Sequence, residues 1–342
     1  MHPTPPTDGA HPARYPGEPA GNTGRSYPTP REGCPWCGST RPHTRLRVPG
    51  PGRHGPGPLV VYECRDCAHV VGHPEDTGTE GPAERAPTAR AGTRRHRAAA
   101  RAMLPFPEPE SWLDVGTGHG RFPEAAREIH PYTSFDGLDP TLRVEEAQAA
   151  GRVEEAHRGH LTDPGIIARL RSRYDVVSML HHLDHTRDPR AELRAALTVL
   201  RPGGHLLIEV PDPDCLFRAL LGRWWMSYGR PGHLQLMPLR NLTAELEALG
   251  CTIVGTDRRE PHTPYDLAGA LALVVARALP TPGDLPERPV LPRRLRRLLH
   301  TALRGAAAPL LATAAALDHT LAPLARRTRF SNAYRIVART PP

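Results

Sequence analysis

Six cysteines occur in the 342 residues, and four of them form two pairs with the same internal gap, Cys34-Pro-Trp-Cys37 and Cys64-Arg-Asp-Cys67. Two such knuckles, 26 residues apart, offer four thiolates to one tetrahedral zinc ion, and Gly38 permits the tight turn behind the first. Four protein ligands leave no open coordination position, so a metal on Cys34, Cys37, Cys64 and Cys67 is expected to be structural. A redox dithiol is the competing reading, but that chemistry asks for one motif in a thioredoxin-like setting, whereas here two sit in a Pro-rich segment. Cys215 and Cys251 stand alone.

A second concentration of reactive groups is His181-His182-Leu183-Asp184-His185, directly after the apolar run Asp175–Met179. On a helix leaving that run, His181, Asp184 and His185 stand at i, i+3 and i+4 and share one face. A neutral imidazole accepts a proton near neutral pH, so His181, nearest the end of the run, is the first candidate for a general base. Asp184 or a backbone carbonyl would orient it. Solvent-facing histidines that merely cap a helix are the bland alternative.

The third stretch is Leu113-Asp114-Val115-Gly116-Thr117-Gly118-His119-Gly120, a strand-like run entering glycines and then a helical pattern. Such a turn lets backbone amides approach a ligand at a helix N-terminus. The G-x-G-x-x-G fingerprint of dinucleotide sites needs a glycine at position 121, where this chain has Arg121. The register is wrong for pyrophosphate.

To hold these residues, the chain offers strand-like runs at 112–115, 134–138, 175–179, 205–210, 252–256 and 333–338, with a weaker one near 157–161. Helical patterns fall between them at 94–104, 121–129, 142–150, 164–171, 191–200 and 239–249. Gly203-Gly204 after Leu200-Arg201-Pro202 reads as a helix C-cap turning into the next strand. The alternation predicts a doubly wound, Rossmann-like α/β sheet with a ligand over the carboxyl ends of its first strands.

With Asp114 at the strand end and its G-x-G-x-G spacing, the glycine stretch resembles motif I of the class I S-adenosylmethionine-dependent methyltransferases. The likeness continues through Gly137-Leu138-Asp139, Tyr174 to His181 and Leu200 to Ile208, in the family's order, over roughly residues 93–260; Ser331 to Arg339 resembles the family's seventh, antiparallel edge strand. The resemblance implies S-adenosylmethionine as cofactor on Asp114, Gly116, Gly118 and Gly120, with Asp139 on the ribose and Asp163 on the adenine amino group. For Asp163 a helix N-cap before Pro164 serves equally well. His233 resembles a family position that faces the acceptor and is the second candidate base. His-x-x-Asp-His also resembles the acidic-x-x-Glu-His motif of some metal-dependent members, with His181 in place of a carboxylate and His233 needed to complete the site. Trp224, Trp225 and Tyr228 either wall an acceptor pocket or pack against the sheet.

The 41 prolines and 31 glycines, many of them before residue 93, cannot all lie in helices and strands. The expected organisation is a disordered tail at 1–30, a zinc ribbon at 31–72, a linker at 73–92 and a methyltransferase domain at 93–342. The domain carries a helical insertion at 280–328. The formal charge of +8 is concentrated at 280–342, where 11 Arg face Asp284, Glu287 and Asp318. Leu295, Leu298, Leu299 and Leu303 share a helical face there, followed by a second apolar helix at 310–324. The segment 285–327 is expected to form a lid, with membrane-surface contact or dimer packing as alternatives. No apolar run is long enough to cross a bilayer and the start is polar, so the expected location is cytoplasmic. The predicted activity is methyl transfer to oxygen of a small molecule such as a natural-product, sugar or cell-envelope precursor. A ribosomal RNA methyltransferase using the zinc module to bind RNA is the alternative, disfavoured because few aromatics interleave with Arg41, Arg45, Arg47 and Arg53.

Overall fold

Runs such as Val176-Val177-Ser178-Met179 leave no face for water and require cover on both sides, which is the condition of a central parallel strand. The computed structural model describes residues 33–41, 44–48, 59–74, 89–229, 235–278 and 293–342. The expected tail 1–30, most of the expected linker, His233 and the beginning of the 280–328 insertion lie outside these residues.

In chain order the elements are β1 (Thr44–Val48), β2 (Leu59–Glu63), β3 (Val70–Pro74), α1 (Ala89–Arg101), β4 (Ser111–Val115), α2 (Arg121–Ala126), β5 (Ser134–Asp139), α3 (Arg143–Ala149), β6 (Ala156–Arg158), α4 (Pro164–Leu170), β7 (Tyr174–Leu180), α5 (Pro189–Val199), β8 (Leu200–Pro211), α6 (Leu216–Leu221), α7 (Met226–Gly229), β9 (Gln235–Leu236), α8 (Leu239–Ala248), β10 (Thr252–Asp257), α9 (Asp266–Ala278), α10 (Arg293–Ala325) and β11 (Ala333–Arg339). The large sheet has seven strands in the order β10-β11-β8-β7-β4-β5-β6. Strands β6, β5, β4, β7 and β8 run parallel, and β11 is antiparallel to both β8 and β10.

Side-chain alternation divides the core into two layers. Trp112, Phe135, Val176, Leu207 and Val337 face one side, packed with Ala99, Ala100 and Met103 of α1 and Phe122 of α2. Their strand neighbours Leu113, Val177, Ile208 and Ile336 face the other, against Leu193, Leu242 and Leu246 of the opposite helices. Trp112 is fully buried among Phe122, His130 and Phe135.

The cysteine segment forms a second sheet, β1-β2-β3-β9, whose fourth strand comes from the large domain. Val70 and Val71 pair with Leu236 and Gln235, so the ribbon is sewn to the larger unit by backbone hydrogen bonds. Cys34, Trp36 and Cys64 share a buried cluster with Met237 and Leu242. Trp225 and Tyr228 pack edge to face in a buried cluster with Val48, Val61 and Val70 of the ribbon, which is the packing alternative. Trp225 Nε1 donates to Asp266 at 3.1 Å.

Two local expectations are corrected. The residue that ends α5 is Leu200, in extended conformation, and β8 begins there. Gly203 and Gly204 instead serve a register break, from Tyr174↔Leu200 to Val176↔His205, where a Cβ on Gly204 would meet two carbonyl oxygens at 2.9 and 3.0 Å. The two helices expected in the insertion are one helix of 33 residues running through Pro309. The lost backbone bond at Pro309 is outweighed by packing along α9, where Ala307, Ala322 and Ala325 are buried and Asp318 accepts from the N–H groups of Leu267 and Ala268 at 3.0 and 2.9 Å. Leu303, Leu310, Leu317 and Leu324 are exposed, and the side chains of Leu295, Leu298 and Leu299 lie outside the described residues.

Candidate functional site

The glycine turn leaves β4 at the middle of the sheet and is stitched to β5, because Gly116 and Thr117 donate their N–H groups to Leu138 O at 2.8 and 3.2 Å. Gly116, Gly118 and Gly120 all have positive φ, at 76, 51 and 69°. At Gly116 a Cβ would lie 2.7 Å from His182 Nδ1, so the loop after β7 closes down on this residue. At Gly118 a Cβ would meet nothing within 4 Å, which leaves the outer side of the loop open to a ligand.

Asp139, at the end of β5, ties this loop to the start of α3. Its Oδ2 accepts from Gly118 N at 3.0 Å, and its Oδ1 accepts from Thr141 N at 2.9 Å and Thr141 Oγ1 at 2.5 Å. Half-buried and held on both oxygens, it keeps acceptor capacity for hydroxyls of a bound molecule. Asp114 lies beneath the loop, buried, accepting from Ser178 Oγ at 2.6 Å, while Trp112 Nε1 donates to the same hydroxyl at 3.0 Å. Burial pushes the Asp114 carboxyl up to about 6, opposed by its hydrogen bond from Ser178. Asp163 occupies the N-cap position of α4, before Pro164, but its carboxylate makes no bond to the helix and accepts instead from His160 N at 2.8 Å.

The His181–His185 segment departs from the expected helix. His181 takes φ 53° at the end of β7, and only Leu183–His185 form a single 3₁₀ turn. The left-handed residue turns the chain out of the strand, so His181, Asp184 and His185 do not share a helical face. His181 N donates to Glu209 O at 2.7 Å, and its Nε2 lies 3.4 Å from Glu209 Oε1. Both ring nitrogens are buried without a hydrogen-bond partner among the described residues. Asp184 is buried, with Oδ2 3.7 Å from His185 Nε2. His182 Nε2 lies 3.5 Å from the buried Glu192. Among the described residues, His181, Asp184 and His185 are not brought close enough to share a metal ion.

Glu209, Arg335, Arg95 and His96 are the neighbours that sequence reasoning missed. Glu209 is fully buried in β8, and Arg335 on β11 stands opposite it in register, donating Nη2 at 2.8 Å and Nε at 3.1 Å to Oε2. Arg95 on α1 approaches the other oxygen at 3.7 Å. Burial alone would raise the Glu209 carboxyl, but His181 and the charges of Arg335 and Arg95 outweigh it and hold the group well below the usual carboxylate range. His96 is pushed down to about 4 by burial and then by Arg95, which keeps it neutral. The overlooked signal was a glutamate inside Leu206-Leu207-Ile208-Glu209-Val210, since a charge in a buried strand requires a partner.

The four cysteine sulfurs lie within 4.8 Å of one another, with Cys34–Cys67 and Cys37–Cys64 both at 3.6 Å. A tetrahedron with zinc–sulfur bonds of about 2.3 Å has edges of about 3.8 Å, so one zinc ion fits the donor set. The two knuckles match: Gly38 N donates to Cys34 O at 2.8 Å and Ala68 N to Cys64 O at 2.9 Å. From this centre a relay reaches the β7 turn. Trp36 stacks on His69, His69 Nε2 and Gln235 Oε1 are 2.8 Å apart, and Gln235 Nε2 donates to the carbonyls of Thr186, at 3.2 Å, and Arg187. Asn241 and Arg240 hold Cys67 O at 2.9 and 3.1 Å.

A family model described as a methyltransferase domain matches residues 85–256. Two curated proteins named ubiquinone biosynthesis O-methyltransferase are similar to the chain: one from Aeromonas salmonicida, 33% identical over 113 residues, covering 32% of this chain and 48% of that protein, and one from Alkalilimnicola ehrlichii, 31% identical over 130 residues, covering 37% and 49%. The chain thus spans about half the length of the curated relatives it matches. A solved SAM-dependent methyltransferase from Archaeoglobus fulgidus is 16% identical with a TM-score of 0.44, covering 71% of this chain and 92% of that one.

Proposed function

The chain belongs to the methyltransferase-domain family, and from that premise we propose that it transfers a methyl group from S-adenosylmethionine to a hydroxyl of a small-molecule acceptor. The cofactor, when bound, supplies an electrophilic methyl group on a sulfonium. The open face at Gly118 and the acceptor capacity of Asp139 support its seat on the glycine loop and β5, with Gly116 and Gly120 setting the turn. Asp114 would hold the loop from below, and Asp163 is assigned to the adenine only by the family resemblance. The names of the O-methyltransferase relatives support oxygen as the acceptor atom and a small molecule as the acceptor.

The observation that carries the mechanism is His181, whose Nδ1 has no hydrogen-bond partner among the described residues and whose Nε2 lies 3.4 Å from Glu209 Oε1. In-line displacement needs an aligned oxygen relieved of its proton. His181 would take that proton on Nδ1 while Glu209, kept ionised by Arg335 and Arg95, fixes the proton on Nε2. Asp184 and His185 would then position the turn, and His233 stays the second candidate base. The four cysteines would hold a structural zinc whose relay through His69 and Gln235 steadies the same turn.

His181→Ala should lower kcat by about 10²-fold or more while S-adenosylhomocysteine affinity stays nearly intact. Transfer of labelled methyl to a pool of fractionated metabolites and, separately, to ribosomal RNA provides the assay. Label entering RNA would overturn the small-molecule reading, and unchanged turnover in both His181→Ala and His233→Ala would remove the histidine base.

A further inference from the structure

A cavity of about 710 Å³ opens where β8, β10 and β11 meet, lined in part by Arg258, Arg259, Arg326, Arg327 and Arg329. Three aspartates also line it, and each is already engaged. Asp212 accepts from Arg258 Nε at 2.7 Å, Asp214 from Arg240 Nη1 at 3.2 Å, and Asp257 from the N–H groups of Arg259 and Glu260 at 2.8 and 3.2 Å. Among the described residues no carboxylate stands within ion-pair distance of Arg259, Arg326, Arg327 or Arg329. Arg326 Nε is buried without a hydrogen-bond partner. Five guanidinium groups against three carboxylates leave a positive excess in one concavity, and an oxyanion relieves the repulsion among them.

We propose that the acceptor carries a phosphate or diphosphate group and that this arginine-walled cavity grips it; the assignment rests on the methyl-transfer reading above. The planar guanidinium fork matches phosphate oxygens in pairs, and the Thr256 hydroxyl lies on the same wall. The cavity's size suits a molecule larger than one inorganic ion. Its position suits an acceptor handle. Asp257 pairs with Arg335 and Pro211 with Ala333, so the cavity lies at the carboxyl-terminal edge of the sheet, the edge that also carries the glycine loop and His181. From β7 to β10 is three strand spacings, about 14 Å, which separates the phosphate grip from the proton acceptor without taking it out of reach of one substrate. Arg326, Arg327 and Arg329, part of the positive excess of residues 280–342, thereby acquire a local purpose.

Calorimetric titration of inorganic pyrophosphate into the full chain at low salt tests this without an acceptor in hand. One site per chain is expected, weakened at least tenfold in Arg327→Gln/Arg329→Gln, two exposed positions whose loss spares the core, and again in Arg326→Gln. Arg194→Gln, on the outer face of α5, should bind as the wild type does. Absence of pyrophosphate binding, equal weakening in Arg194→Gln, or malonate binding as tightly as pyrophosphate would overturn the proposal. S-adenosylhomocysteine titrated in parallel separates the two readings: if it binds while pyrophosphate does not, only the phosphate grip fails, and if it does not bind, the methyl-transfer reading fails first.

Discussion

Glu209 and Arg335 are both buried, and each is the other's main source of compensating charge. Removing one partner of such a pair strands the other, so Arg335→Met should cost about 3 to 5 kcal/mol in urea unfolding and release the grip on His181. A loss below about 1 kcal/mol would mean that Arg95 suffices for Glu209. Asp139 works differently, because its visible bonds are to Gly118 of the glycine loop and to Thr141, and its proposed role is toward the ribose. Asp139→Ala should weaken S-adenosylhomocysteine binding by about 1.5 to 3 kcal/mol, the range for hydrogen bonds to a charged acceptor. Asp139 was legible from the sequence because it closes a strand at a fixed spacing from Gly116. Arg335 was not, because its partner is 126 residues away.

The ribbon and the catalytic sheet are joined by β9, whose two residues pair with Val70 and Val71 while Gln235 reaches the β7 turn. A ribbon this short depends on its metal for folding, so removing zinc should dissolve β3 and take the Gln235 anchor with it. One zinc per chain is expected by metal analysis. Cys34→Ser should release it and lower turnover of the identified acceptor several-fold more than it lowers S-adenosylhomocysteine affinity. Equal turnover in metal-free and metal-loaded protein would break the link between ribbon and turn. At the other end of the chain, the Asp318 carboxylate caps the first turn of α9, so α10 is a structural member of the fold and cannot be described as a lid alone.

For the whole molecule, opposing groups set the response to pH. The Glu209 carboxyl is lowered on folding, so its contribution is present above the ordinary carboxylate range and is lost as pH falls through its depressed value. Asp114 acts in the opposite direction. Its folded value of about 6 exceeds that of the unfolded chain, so the folded state holds the proton more tightly. Its contribution is fully present below about pH 4, declines to about pH 6 and is flat above. Asp114→Asn removes that decline, and its stability relative to wild type should rise by on the order of 3 kcal/mol between pH 4 and pH 7. Parallel urea titrations at the two pH values measure it, and a difference that does not change with pH would show that Asp114 stays ionised in the folded protein.

By itself, the sequence determined whatever depends on local spacing. The cysteine knuckles, the glycine turn, Asp139 and the order of strands and helices follow from short-range patterns, because hydrophobic periodicity and turn chemistry act over a few residues. Tertiary structure decided the rest. The left-handed turn at His181 depends on its backbone bond to Glu209 in the adjacent strand, and the ribbon's fourth strand arrives from more than 160 residues downstream. The arginine cavity draws on two segments, after β10 and before β11, that only the antiparallel register of those strands brings together. Each of these is set by strand register and long-range closure, to which the periodicity of an isolated segment is blind.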